Sequence, residues 1–225
     1  GRTKPGTLLK HHIPIKTDHW DVKAPGSCEI DLVSHSGACA SGELIHSLNV
    51  TDIHSGWGET RAVMGKGEAG VVAALDDIRR SLPFPLKAID SDNGSEFINY
   101  HLVAYCEKHG IQFTRSRPYK KNDNAHIEQK NWTHVRRIFG WDRYDTREQL
   151  DAMNALYCGD LRIMMNLFQP CVKLIKKERV GSKLRRYYDQ ARTPLDRLEV
   201  NSKESPAIIH LTAQRNATDP FQLAK

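Results

Sequence analysis

Between Ser27 and His35 apolar and polar positions alternate with period two, which puts Cys28, Ile30 and Leu32 on one face of an expected strand and Asp31 on the other. Residues 43–51 repeat the pattern, Ser55-Gly56 marks a turn, and a third strand is expected over Trp57–Met64. The three make an antiparallel meander. The period then lengthens: Val71, Leu75, Ile78 and Leu82 recur at helical spacing over Glu68–Leu82, and Pro83 stops the element. A fourth short strand, Leu86–Asp90, runs into Ser91-Asp92-Asn93-Gly94. A helix is expected from Ser95 to His109, with Ile98, Leu102 and Cys106 inward and Gly110 ending it, and Ile111–Thr114 can form a fifth strand.

Past Pro118 the chain is polar until a helix starts near residues 122–124, with Trp132, Val135 and Phe139 as its apolar stripe. Four residues before Trp132, on the same stripe, stands Glu128. A second long helix over Arg147–Phe168 would bury Leu150, Met153, Tyr157, Leu161, Met164 and Phe168, and Pro170 closes it. This order of elements predicts an α/β domain, a mixed sheet covered by helices on both faces. Trp57 and Trp132 read as core aromatics.

Composition narrows the class. With 39% hydrophobic and 27% charged residues over 225, there is a core to bury in one or two domains. No uncharged apolar run approaches the ~20 residues of a bilayer helix, so no membrane role is expected. No secretory signal opens the chain, and its start at Gly1 rather than Met suggests a piece of something longer. Five cysteines, an odd number without CxxC spacing, argue against a disulfide framework and a structural zinc, and for a reducing, cytoplasmic compartment. Three segments are expected: an N-terminal extension 1–24, a core 25–170 and a basic C-terminal extension 171–225.

The net charge is +6. Between Val172 and Arg197 nine basic residues (Lys173, Lys176, Lys177, Arg179, Lys183, Arg185, Arg186, Arg192, Arg197) face three acidic ones (Glu178, Asp189, Asp196), so this segment holds the whole excess. A stripe of that density, with Tyr187 and Tyr188 in it, suits a polyanion such as nucleic acid; a solvated basic face is the alternative. Val180-Gly181-Ser182-Lys183 suggests a turn between two short basic strands.

Three acids stand where a core does not want them: Asp31 in the first strand, Asp92 after the fourth, and Glu128 on an inward helix stripe. If the two strands are neighbours and the helix crosses them, the carboxylates converge. Like charges that close oppose one another's ionisation, and hard divalent cations, Mg²⁺ or Mn²⁺, resolve the conflict. Two such ions about 4 Å apart suit phosphodiester chemistry. Other readings stay open for the neighbours. Asp92-Asn93-Gly94 is also a good tight turn, Asp52 reads as a turn former, and Glu96 reads as an exposed first-turn glutamate. Lys130, His134 and Arg137 recur on one helix face that could track a phosphate backbone.

Ser91-Asp92-Asn93-Gly94-Ser95-Glu96-Phe97, Pro118-Tyr119 ten residues before Glu128, and Glu128-Gln129-Lys130-Asn131 resemble the catalytic core of retroviral integrases and of the integrase-like DDE transposases of bacterial insertion sequences. Glu29-Ile30-Asp31-Leu32-Val33 and Thr51-Asp52-Ile53-His54-Ser55-Gly56-Trp57 support the resemblance, as do the thirty-five residues between Asp92 and Glu128. It spans about Ser27 to Phe168. It implies a ribonuclease H-like fold with a five-stranded sheet, and metal-dependent DNA end cleavage and strand transfer. Asp31, Asp92 and Glu128 would be both the catalytic residues and the ligands of two Mg²⁺ or Mn²⁺ ions. Asn93, Tyr119, Asn124, Lys130, Asn131, His134, Arg137, Lys183, Arg185 and Arg186 are the expected DNA contacts. The implied partners are the DNA of element ends and target and further copies of the chain, at the nucleoid. A structure-selective nuclease of the same fold and a non-catalytic DNA-binding relic are the rival readings.

Overall fold

The computed structural model describes Leu9 and residues 13–15, 22–92, 94, 96–116 and 125–223; the side chains of Ala125, His126, Glu128 and Lys177 lie outside that description. The chain divides into two compact units, Gly1–Arg162 and Ile163–Lys225, so the division falls after residue 162 where the sequence suggested 170.

The first unit is built on β1 (Ser27–Ser34), β2 (Ile45–Asp52), β3 (Gly58–Met64), β4 (Ala88–Ser91) and β5 (Gln112–Arg115), ordered β3-β2-β1-β4-β5. β1 to β3 form the expected antiparallel meander, and β4 and β5 add in parallel. Each parallel addition follows a helix, α1 (Glu68–Ser81) before β4 and α2 (Tyr100–His109) before β5, because a parallel neighbour needs a crossover. Alternation along the strands sorts the side chains. Cys28, Ile30, Leu48, Val50 and Ile89 pack with Val71, Leu75 and Ile78 of α1 and Leu102 and Cys106 of α2. On the opposite face Ile45 and Ala62 pack with Leu150, Met153 and Tyr157 of α4 (Arg147–Cys158), whose start carries the capping box Thr146/Gln149. The expected fold class, a ribonuclease H-like mixed five-stranded sheet with helices on both faces, is the observed one.

Between α2 and α4 lies α3, Ala125–Lys130, continued by a π-helical stretch, Asn131–Arg136, and a last turn, Arg137–Phe139. A π stretch adds a residue per turn and shifts the phase of everything after it. Among the described side chains of this segment the buried ones are Ile127, Lys130, His134 and Val135, and Trp132 is 56% exposed. Its expected place in the core is corrected; Trp57 is buried as expected. Two other expectations change at element ends. α2 starts at Tyr100, capped by the Asn99 side chain on the Leu102 amide, five residues later than periodicity suggested. The single helix expected over Arg147–Phe168 is broken at Gly159, after which come Asp160–Ile163 and a π-helical turn, Met164–Phe168.

β3 also carries a buried ionic knot. Glu59, with no exposed side-chain surface, accepts the Trp57 indole N–H at 3.0 Å and guanidinium N–H groups of Arg61 at 3.3 Å and Arg162 at 2.7 Å. Removing the anion takes a carboxylate from two largely buried guanidiniums, of which Arg61 keeps Asp77 at 2.6 Å, so Glu59→Ala should cost about 3 kcal/mol. Urea unfolding that shows less than about 1 kcal/mol would mean that water screens the knot.

The second unit contains an antiparallel hairpin, β6 (Leu174–Val180) and β7 (Lys183–Tyr188), turning through Gly181 at φ 62°, a conformation that suits glycine. Three helices follow: α5 (Pro194–Ser202), α6 (Pro206–Ala217) and α7 (Pro220–Leu223). Arg197 is buried here, donating to the carbonyls of Cys171 and Arg192 and to the Asp189 carboxylate. It therefore leaves the basic stripe to which the sequence assigned it. All five cysteines are free, and no helix among the described residues is long and apolar enough to cross a membrane.

Candidate active site

The parallel ladder of β1 and β4 pairs Glu29 with Asp90 and ends at Ile30 with Ser91. Asp31 and Asp92 are each the next residue along, on the face away from the Cys28, Ile30 and Ile89 core. The strand alternation that isolates Asp31 in the sequence thus aims both carboxylates to the same side. They feel one another. Asp31 is half-buried, and burial, first of all, raises its carboxyl above the ordinary range; the negative charges of Asp92 and Glu96 add to the rise. Two hydrogen bonds oppose it, from the Leu32 amide to Oδ1 at 2.8 Å and from the Asn131 side-chain amide to Oδ2 at 2.6 Å.

A carboxyl raised in the folded state stabilises the fold fully below its unfolded value and loses that contribution as pH climbs through the raised one. Asp31→Asn removes the titration. In metal-free buffer its Tm, relative to the wild type, should therefore climb as pH rises from about 3.5 to 7; a difference independent of pH would mean that Asp31 ionises as freely as in water.

Asp92 accepts the Gly94 amide on Oδ1 at 2.8 Å, the local ring of a carboxylate turning its own chain. A Cβ at position 94 would stand 2.8 Å from Asp92 Oδ1 and 2.7 Å from Glu96 Cδ. The glycine is what lets these two acids share one small space. Glu96 is thus half-buried and coupled to Asp31, and the reading of it as an exposed first-turn glutamate is corrected, because α2 starts four residues later. The signal was in the sequence as Asp-x-Gly-x-Glu, where glycine spacing lets both acids turn to one side.

The third acid sits on α3, which packs across β1 and β2 on the same face of the sheet. The Glu128 backbone is within that helix, one turn before Asn131, and its side chain lies outside the described residues. Three bonds tie the helix to the sheet around this position: the Ile127 amide donates to Glu29 Oε2 at 2.9 Å, and Asn131 donates to Asp31 and accepts the side-chain amide of Asn49, 3.0 Å away. Asn131, expected to touch DNA, holds Asp31 instead.

Asn93, Tyr119 and Asn124 lie outside the described residues. The row Lys130, His134, Arg137 does not form a shared wet face, since Lys130 and His134 are buried and Arg137 is exposed. Burial, followed by the charge of Lys130, lowers the His134 pKa well below its ordinary value. Lys130 and His134, expected as DNA contacts, are both buried in this chain. Asp52 is the turn former it was read as, accepting the amides of Gly26 and Ser55 and the Ser55 hydroxyl. Lys183, Arg185 and Arg186 stand exposed on β7 in the second unit.

Among the described residues no three potential ligands form a metal cluster. The donor chemistry nevertheless suits a hard cation: Asp31 and Asp92 offer carboxylate oxygens whose mutual repulsion a divalent ion would relieve.

Residues 21–121 match the family model of the integrase core domain. The uncharacterised protein y4rM of Sinorhizobium fredii is 38% identical over 192 residues, which are 85% of this chain and 55% of that protein. The chain therefore spans about half the length of the curated relative it matches. The catalytic core domain of BIV integrase superposes with a TM-score of 0.51 at 14% identity, over 86% of this chain and 99% of that one. A chain of the simian T-cell lymphotropic virus intasome, in complex with the PP2A regulatory subunit B56 gamma, gives 0.48 at 15% identity over 64% of this chain and 49% of that one.

Proposed function

We propose that this chain, whose residues 21–121 match the integrase core domain, is a DDE transposase that cuts the ends of a mobile DNA element and joins them to target DNA. The observation that carries the reading is the pair Asp31 and Asp92, one within β1 and one just past the end of the neighbouring β4, with the Asp92 charge acting on Asp31, under a helix that bears Glu128. Acids gathered at one edge of a sheet would cost stability that a fold has no reason to bear without a cation.

Asp31, Asp92 and Glu128 would hold Mg²⁺ or Mn²⁺, two ions in the active complex. When bound, the ions would ease deprotonation of the attacking hydroxyl and neutralise charge on the leaving oxygen. Asn131 and the Leu32 amide fix the direction in which Asp31 presents its lone pairs. In the first step water attacks the phosphorus at an element end and the 3′ oxygen leaves, taking up a proton. In the second step that 3′-hydroxyl attacks a target phosphodiester. One P–O bond forms as one breaks, so joining needs no external energy source and no covalent enzyme intermediate. The partners are DNA and, for pairing two ends, further copies of the chain; the compartment is the cytoplasm, at the nucleoid.

Incubating the protein with a pre-cut element end and a target plasmid, with Mg²⁺ or with chelator, tests the reading. Joined product in the metal lane alone is expected. Nicks without joining would turn the assignment to a nuclease, and neither product to a DNA-binding relic. Independently of activity, Mn²⁺ should raise the Tm of the wild type and not of Asp31→Asn.

A further inference from the structure

A second carboxylate on β1 has no part in the reading above. Glu29 lies two residues before Asp31, on the same face of the strand, and is 1% exposed. An acid that deep must be matched by donors. One of them comes from 98 residues away: the backbone N–H of Ile127, at 2.9 Å from Oε2. Ile127 is the third residue of α3, so its amide belongs to the first turn, where N–H groups have no partner within the helix and the helix dipole favours an anion. Glu29 therefore caps α3 from the sheet. The capped amide also adjoins Glu128 in the chain.

We propose that Glu29 is a positioning residue, the clamp that sets the height of α3 on the sheet and thereby the distance of Glu128 from Asp31 and Asp92. The inference rests on Glu128 being the third acid of the site. The geometry has two anchors. Glu29 holds α3 one residue before Glu128, and Asn131, one turn after it, is bonded to Asp31. Between two fixed points a helical residue has little freedom to shift along or roll about the axis. The backbone of Glu128 is thus referenced at both ends to β1, the strand that carries Asp31.

The clamp needs an acceptor oxygen, not a charge, which separates it from a ligand. Glu29→Gln keeps a side-chain oxygen at nearly the same place; Glu29→Leu keeps the volume and removes the oxygen. Amide hydrogen exchange of the metal-free protein should show the Ile127 N–H strongly protected in the wild type and in Glu29→Gln. In Glu29→Leu its protection should fall at least tenfold while that of β2 is unchanged. The Mn²⁺ concentration for half-maximal nicking should rise about tenfold in Glu29→Leu and stay within twofold in Glu29→Gln.

Fast exchange of Ile127 in the wild type would overturn the clamp without any variant, so the test stands even if Glu29→Leu fails to fold. Unchanged metal dependence in a folded Glu29→Leu would make the bond merely structural. A Glu29→Gln protein as impaired as the leucine variant would make Glu29 a charged participant rather than a clamp. Wild-type protein with a protected Ile127 but no metal-dependent nicking would sink the proposed function and leave the cap itself standing.

Discussion

Glu128→Gln should abolish joining of pre-cut ends, by about a thousandfold or more, while the protein stays folded. The substitution changes one oxygen to an amide nitrogen at nearly constant shape, so packing is left alone and the loss falls on cation binding and charge neutralisation at the phosphate, an effect of several kcal/mol. A thousandfold corresponds to about 4 kcal/mol of transition-state stabilisation. Stability should hold or rise, because one of several mutually repelling carboxylates is gone. The measurements are the initial rate of joining with Mg²⁺ and the Tm without it. A Glu128→Gln protein that joins at the wild-type rate would place the third ligand elsewhere, and Glu96, already beside Asp92 across Gly94, would be the residue to substitute next.

The order of strands and helices was readable because a half-buried strand and an amphipathic helix write their periods into the chain, and β1 and α1 show them over whole elements. Asp31 was legible for the same reason, as a charge out of phase with Cys28, Ile30 and Leu32. What periodicity could not reveal is a change of period inside an element. The argument that reached Glu128 through Trp132 assumed an unbroken 3.6-residue helix with Trp132 inward; the helix changes period at Asn131, and its buried side runs through Ile127, Lys130 and His134 with Trp132 exposed. The helix does lie over the acids, but it is registered by Asn131 and Glu29 instead. Those two contacts join residues 100 and 98 positions apart, and no local pattern announces a hydrogen bond of that span. Arg197 failed for a related reason: a basic residue in a basic run looks solvated, and only the fold shows Asp189 and two carbonyls waiting for it.

Neutralising Lys183, Arg185 and Arg186 together, as glutamines, should weaken DNA binding for every sequence alike and lower the slope of log K against log salt by about 2.7, that is, 0.9 for each released counterion. Joining at saturating DNA should survive, since none of the three is among the proposed metal ligands. The hairpin makes the expectation finer. Alternation along β7 puts Lys183 and Arg185 on one face and Arg186 on the other, and register pairs Arg185 with Glu178 and Leu184 with Arg179. The first face thus shows Lys176, Lys183 and Arg185, with Glu178 engaged by Lys176 and by the Tyr187 hydroxyl; the second shows Arg179 and Arg186 beside Tyr188. Every residue of β7 is exposed. Cations on both sides of a two-stranded ribbon suit insertion between two walls of phosphate, and the major groove is wide enough for such a ribbon. The groove geometry therefore predicts separable losses, about 1.8 in slope for the pair Lys183 and Arg185 and about 0.9 for Arg186 alone. A ribbon lying flat on DNA would use one face, and one of those two variants would keep the wild-type slope. If all three keep it, the hairpin is a solvated basic face and DNA is held elsewhere.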